Sequence, residues 1–261
     1  MEKTLEKKIN KKAQVTIFII LAIAIVAIIL VLLYPRIKVA ISGPIAVDYI
    51  DKCIEDSTKE AIDIVKMQGG SVEPENYILY QGDKIEYSCY TNEYYKTCIM
   101  QKPFLKNDIE SEITKYITPK IKECFSSLKQ QLESKGSSVS LNLNEISVKT
   151  SVIPTYLLVE VDAPLTVSKS DGATSSFKKF NKDVKSDIYD LIMVASSISN
   201  WEARYGDSET MNFMAFYPNL KIEKKKQGDG TTIYILTNII SGDKFQFASR
   251  SLVFPPGYFG V

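Results

Sequence analysis

Val15 to Leu33 reads VTIFIILAIAIVAIILVLL, nineteen residues of which only Thr16 is polar. A helix of that length rises about 28 Å, close to the ~30 Å hydrocarbon core of a bilayer. In lipid such a helix satisfies its own backbone groups, whereas a soluble domain of this size has no use for a helix apolar on every face. Tyr34 stands where an interfacial aromatic belongs, and Pro35-Arg36 comes next. Residues 15–34 are therefore expected to cross a membrane once. A cleaved secretory signal fits less well, because its apolar region is shorter and ends in small residues, not in Leu32-Leu33-Tyr34-Pro35-Arg36.

Charge around the span sets its direction. Residues 1–13 carry five Lys and two Glu, a net +3, and residues 14–35 carry no charge. The remainder holds 27 basic and 29 acidic residues, and only Arg36 and Lys38 lie close behind the span. The positive-inside rule places the Lys-rich stub, residues 1–14, in the cytoplasm. A linker at 35–43 and a domain at 44–261, with a sub-boundary near 136, are then expected outside the cell membrane.

Composition narrows the chemistry. The 261 residues carry a net charge of +1 and no histidine. There is no global field to attract nucleic acid, no Ser–His or Cys–His pair, and no His-ligated metal. No P-loop is present, and Gly228-Asp229-Gly230 reads as a hairpin turn. Asp171, Asp183, Asp187 and Asp190 lack EF-hand spacing. Ser168-Lys169 and Ser186 are chance-level candidates for a Ser/Lys dyad, and Lys224-Lys225-Lys226 reads as a solvated strand edge. No catalytic residue, cofactor or metal is assigned.

The outer domain reads as α+β, antiparallel strands with two to three helices. Ile50, Cys53, Ile54, Ala61, Ile62 and Val65 keep helical spacing after Ser42-Gly43-Pro44, and Gly69-Gly70 stops that helix. Tyr77–Gln81 and Lys84–Tyr90 form a hairpin around Gly82-Asp83, and a third strand is expected at Tyr94–Gln101. A second helix at 108–134, capped by Asn107 or Asp108, should kink or split at Pro119. One strand is expected over Gly136–Thr150 and two more at Pro154–Val161 and Leu165–Lys169, with a turn at Asp171-Gly172. A helix over Asp187–Tyr205 has the stripe Ile188, Leu191, Ile192, Ala195, Ile198 and Trp201, closed by polar Glu202. Leu220–Lys226, Thr231–Ile239 and Lys244–Phe254 complete a meander.

All four cysteines fall on the outer side, where disulfides persist. Three pairings are possible. Cys89 and Cys98 flank a turn, and Cys53 and Cys124 each lie on a helix's apolar face, so 89–98 with 53–124 is favoured over four buried thiols. The absence of C-x₂₋₄-C argues against a zinc site. Tyr77, Tyr80, Tyr87, Tyr90, Tyr94 and Tyr95 crowd nineteen residues, as ordinary strand formers or as a contact surface. The tail Phe254–Val261 is apolar and suits docking on its own domain or on a partner.

Lys11-Lys12-Ala13-Gln14-Val15-Thr16-Ile17-Phe18 resembles the archaeal type IV pilin-like (class III) signal. That resemblance implies cleavage between Ala13 and Gln14, leaving the helix on the mature protein to enter a filament core or anchor it. The acidic residue found early in bacterial pilin helices is missing. Cys53-Ile54-Glu55-Asp56-Ser57, Met67-Gln68-Gly69-Gly70 and Ala163-Pro164-Leu165-Thr166-Val167 resemble uncharacterised single-pass surface proteins of small-genomed archaea. This second resemblance implies an anchor plus an outer domain and transfers no catalytic residue. The expected function is binding or assembly at the cell surface, as a pilin-like subunit or as a monomeric anchored receptor or envelope factor. A carboxylate-dependent extracellular hydrolase is the remaining alternative. Expected partners are the lipid bilayer, other copies through the N-terminal helix, or an extracellular protein or glycan.

Overall fold

The computed structural model describes residues 22–25, 46–170 and 172–253. Residues 22–25 are helical, with Ile23 and Ile25 exposed. The rest of the candidate span, the Ala13–Gln14 bond, Asp171 and the tail from Phe254 lie outside the described residues. Among the described residues no helix is long and apolar enough to cross a membrane.

Helix α1 runs over residues 46–67 and buries Ala46, Ile50, Ile54, Ala61, Ile62 and Val65, the spacing of a single helical face. Gly69 and Gly70 end it at φ 76° and 102°. At Gly69 a Cβ would lie 2.9 Å from the backbone N and O of Glu86, so neither the conformation nor the space admits another residue. Gly69→Ala is expected to cost about 2 kcal/mol, read from urea unfolding, because the clash is with backbone.

Strands β1 (Tyr77–Tyr80) and β2 (Asp83–Tyr90) form the expected hairpin. The third strand is much shorter than expected: β3 is Ile99–Met100 alone, and the stretch before it carries the exposed Tyr94 and Tyr95. Helix α2 (Leu105–Ser134) starts three residues earlier than expected, after Phe104, and continues through Pro119 without splitting. Ile109, Ile113, Ile117, Ile121 and Phe125 form one buried seam that runs past the proline, so packing outweighs the one missing backbone bond.

Residues 138–185 form a second sheet. Strands β4 (Ser138–Leu141) and β5 (Ser147–Ile153), separated by a 3-10 turn at Leu143–Glu145, share one edge of β6 (Tyr156–Ser168). β7 (Thr174–Lys185), missed in the sequence, takes the other edge. The two strands expected at 154–161 and 165–169 are one strand. Its pairing with β7 shifts register between Asp162 and Leu165, where Pro164 has no N–H to donate.

Helix α3 (Ile188–Tyr205) is followed by an unexpected short helix α4 (Thr210–Phe216) and by β8 (Leu220–Lys226), β9 (Thr231–Asn238) and β10 (Lys244–Arg250). The meander closes as expected, and then β10 pairs in parallel with β2. The first sheet is thus ordered β1-β2-β10-β9-β8, with β3 also on β2. The second sheet begins at Ser138, and β10, from beyond that sheet in sequence, returns to pair with β2. One core joins α1, α2, α3 and both sheets. The fold class is α+β, dominated by antiparallel pairing.

Candidate interaction surface and buried polar network

The two disulfides join Cys53 to Cys124 and Cys89 to Cys98, the pairings favoured on the sequence. The first ties α1 to α2; the Tyr116 hydroxyl and Lys120 Nζ reinforce it by donating to Glu60 at 2.6 and 2.8 Å. The second ties β2 to the start of β3. Glu55 reaches from α1 to β7 through Lys182 at 2.9 Å and also accepts from Lys59. Hydrogen bonds from Lys59 and Lys182 hold its carboxyl down at about 2.

The six tyrosines do not form one surface. Tyr87 is buried, with its hydroxyl 2.9 Å from Thr231 Oγ1. Tyr80 and Tyr90 pack half-buried around Ile85, Tyr87, Ile233 and Ala248 on the outer face of the first sheet. Tyr90 also accepts from Arg250 Nη1 at 3.1 Å. Only Tyr77, Tyr94 and Tyr95 are exposed. Strand packing accounts for three of the six.

Among the described residues two carboxylates are buried in the fold. Glu86 accepts from Ser71 Oγ and pairs with Lys102 Nζ at 3.1 Å, and Lys102 also donates to Ser71 at 2.9 Å. The grouping has the composition of a serine–lysine nucleophile. Yet Ser71 is 3% exposed and Lys102 is spent in an ion pair, so no carbonyl can approach Ser71 in this conformation. It fastens the loop after α1 to β2. Ser168 Oγ lies 3.1 Å from Thr174 Oγ1, and Ser186 Oγ accepts from the backbone N–H of Ile188 at 3.4 Å. Lys224 and Lys226 pair with Asp207, and Lys225 pairs with Glu223 at 2.9 Å.

Glu202 is the second carboxylate, 2% exposed near the end of α3. The Tyr234 hydroxyl and the Ser208 backbone N–H (3.1 Å) donate to its Oε1, and Ser249 Oγ donates to Oε2 at 3.2 Å. Burial raises its pKa, and the hydrogen bond from Tyr234 and the charge of Lys224 offset part of that rise. Alongside, Ser88 and Ser199 share a hydrogen bond at 2.7 Å. The network fixes the C-terminal half of α3 on β2, β9 and β10. It was invisible in the sequence, where Glu202 read as the polar end of an apolar stripe and Trp201 as part of the core. The structure reverses the two: Trp201 is 47% exposed.

A cleft of about 150 Å³ lies between α3 (Asp190, Leu191, Val194), the Tyr217–Leu220 turn and Asn238. It is smaller than the 300–1,000 Å³ of ordinary small-molecule sites. Its surroundings are more telling. Ile239 N donates to Asn219 O at 2.8 Å, which joins the segment carrying the exposed Ile239 and Ile240 to the turn that follows the exposed Phe216 and Tyr217, an apolar rim. Among the described residues no group of three or more acidic or cysteine side chains is placed to hold a metal.

Comparison with known protein families, with curated proteins and with solved structures finds no match.

Proposed function

We propose that the chain is a membrane-anchored surface protein whose outer domain works by binding, with residues 15–34 as its single span. The observation that carries this reading is the pair of disulfides, both in the domain beyond the apolar run, since such bonds persist in oxidising surroundings. The position of the apolar rim supports it too. Lys66 near the end of α1 pairs with Asp243 in the β9–β10 turn at 3.5 Å, and Gln246 Nε2 donates to Met67 O at 2.6 Å. The rim around Ile239 and Ile240 therefore sits at the far end of a helix about 33 Å long, away from where the chain enters the domain. An anchored protein that contacts a protein or glycan partner presents its contact surface there.

Protease treatment of intact cells tests the topology: the domain is expected to be digested while the Lys-rich stub stays protected. A protected domain would defeat the reading. The class III-like stretch Lys11–Phe18 supports a second, narrower reading as a pilin-like subunit that assembles through its N-terminal helix. Mass analysis of the membrane-extracted protein separates the two. Loss of residues 1–13 is expected of a pilin-like subunit, and an intact N-terminus removes that reading while leaving the anchored receptor.

A further inference from the structure

Strand β7 (Thr174–Lys185) is 12 residues long and gives one edge to β6 over Tyr156–Ser168. β4 and β5 occupy the far side of β6, so β7 closes the second sheet. Among the described residues no strand pairs with its other edge. The margins of the first sheet are blunted. β1 has only 4 residues. At β8 the short helix α4 lies alongside, and Met214 Sδ accepts the Ile222 N–H at 3.4 Å. β7 instead is long and directs alternate backbone N–H and C=O groups away from β6, which makes its free edge a template for one more strand.

Its side chains decide what that edge accepts. Phe180 and Val184 are buried, so the alternating Lys179, Asn181, Asp183 and Lys185 stand on the solvent face, all exposed. The strand carries four Lys, at 178, 179, 182 and 185, against Asp183 alone. Lys182 is held by Glu55 of α1 at 2.9 Å, and Lys179 by the exposed Asp162 at 3.3 Å. Lys178 and Lys185 are exposed and, among the described residues, have no ion-pair partner. A second copy laid along this edge would set lysine against lysine, which opposes pairing, whereas an acidic strand would meet opposite charge.

We propose that the free edge of β7 receives an extended acidic segment of a partner protein, which lengthens the 4-stranded sheet by one strand. Main-chain hydrogen bonds supply the hold, and carboxylates beside Lys179 and Lys185 supply the choice of partner. Those two lysines are six residues apart in sequence, about 20 Å along a strand, so a heptapeptide reaches both.

The probe is a fluorescein-labelled Glu-Val-Thr-Val-Thr-Val-Glu peptide, whose residue order serves parallel and antiparallel pairing alike. It is titrated with full-length protein in detergent and followed by anisotropy. A K179E/K185E protein, shown by far-UV circular dichroism to be folded, is expected to bind it about tenfold more weakly and to prefer the Lys-Val-Thr-Val-Thr-Val-Lys counterpart. Two further peptides, used on the unaltered protein, separate strand pairing from simple ion pairing. One is N-methylated at its Val residues and the other at its Glu and Thr residues, so each has a different edge blocked with its charges kept. One of the two is expected to lose binding and the other to retain it. Equal behaviour of the two would overturn the proposal, as would equal binding of the Glu and Lys peptides or no binding of the Glu peptide at about 1 mM. Self-association of the protein that the Glu peptide reverses would assign the edge to a second copy and overturn it as well.

Discussion

Replacing Cys53 and Cys124 together by alanine is expected to destabilise the folded domain by about 4 kcal/mol, measured by urea unfolding of the oxidised protein. The bond joins positions 71 residues apart, and in the chain-entropy treatment a loop of that size restricts the unfolded state by about this amount. The same treatment gives about 2.5 kcal/mol for Cys89 and Cys98, nine residues apart. The other links between α1 and α2, from Glu60 to Tyr116 and Lys120, are exposed and worth at most about 1 kcal/mol, so they do not substitute. The order of the two losses is the sharper part of the result. A C89A/C98A protein less stable than C53A/C124A would contradict the loop-length account.

Glu202→Ala is expected to cost about 3 kcal/mol. It leaves the Tyr234 hydroxyl, the Ser249 hydroxyl and the Ser208 N–H without their acceptor in the interior. Glu202→Gln keeps an acceptor for Tyr234 and Ser208 and gives Ser249 a donor, so it should stay within about 1 kcal/mol of the parent protein near pH 4. The pH dependence then separates charge from shape. Burial raises the Glu202 pKa above its ordinary 4.5. A raised carboxyl contributes stability that is complete below 4.5 and is lost as the pH climbs through the folded value. The parent protein should therefore lose ground to E202Q as pH rises from 4.5. Glu55 and Glu223, both held down at about 2, behave in the opposite sense, losing their contribution as pH falls from 4.5 towards 2. They are common to both proteins and cancel in the difference. Parallel stability curves for the two proteins would mean that Glu202 titrates in the folded state as it does unfolded.

Residues whose burial follows a simple period were legible from the sequence. The apolar faces of α1 and α2 follow i, i+4 spacing, and the three closing strands are marked by the turns at 228–230 and 241–243 and not by alternation, since β9 and β10 bury nearly consecutive residues. Cys53 and Cys124 could be paired because each fell on such a face. Failures have physical causes of the same kind. Pro119 carries a strong local signal for a break, and a seam of five buried side chains outweighs it. β7 is rich in Ser and Lys because much of it is exposed, so it lacks the apolar alternation that marks a strand. Glu202 and Trp201 are adjacent, and a turn of 100° decides which faces the core. Hydrophobicity favours Trp201, but only Glu202 can accept from Tyr234, Ser208 and Ser249. Two of those partners, Tyr234 and Ser249, are 32 and 47 residues away, a relation that no local pattern records.

The parallel pairing of β10 with β2 has a consequence for how the chain matures. Tyr90 and Arg250, partners in that ladder, are 160 residues apart. A ribosome adding 5–20 residues per second needs roughly 8–30 s to cover the distance. Throughout that interval β2 has an open edge, whereas the β4–β7 sheet assembles from neighbours as soon as residue 185 emerges. The strands of the second sheet are neighbours in sequence and can pair early, whereas the first sheet is completed only when β10 is made. A ribosome that stalls or a message that ends short of residue 250 leaves an otherwise structured molecule with a sticky, unfinished margin, an easy mark for surveillance proteases.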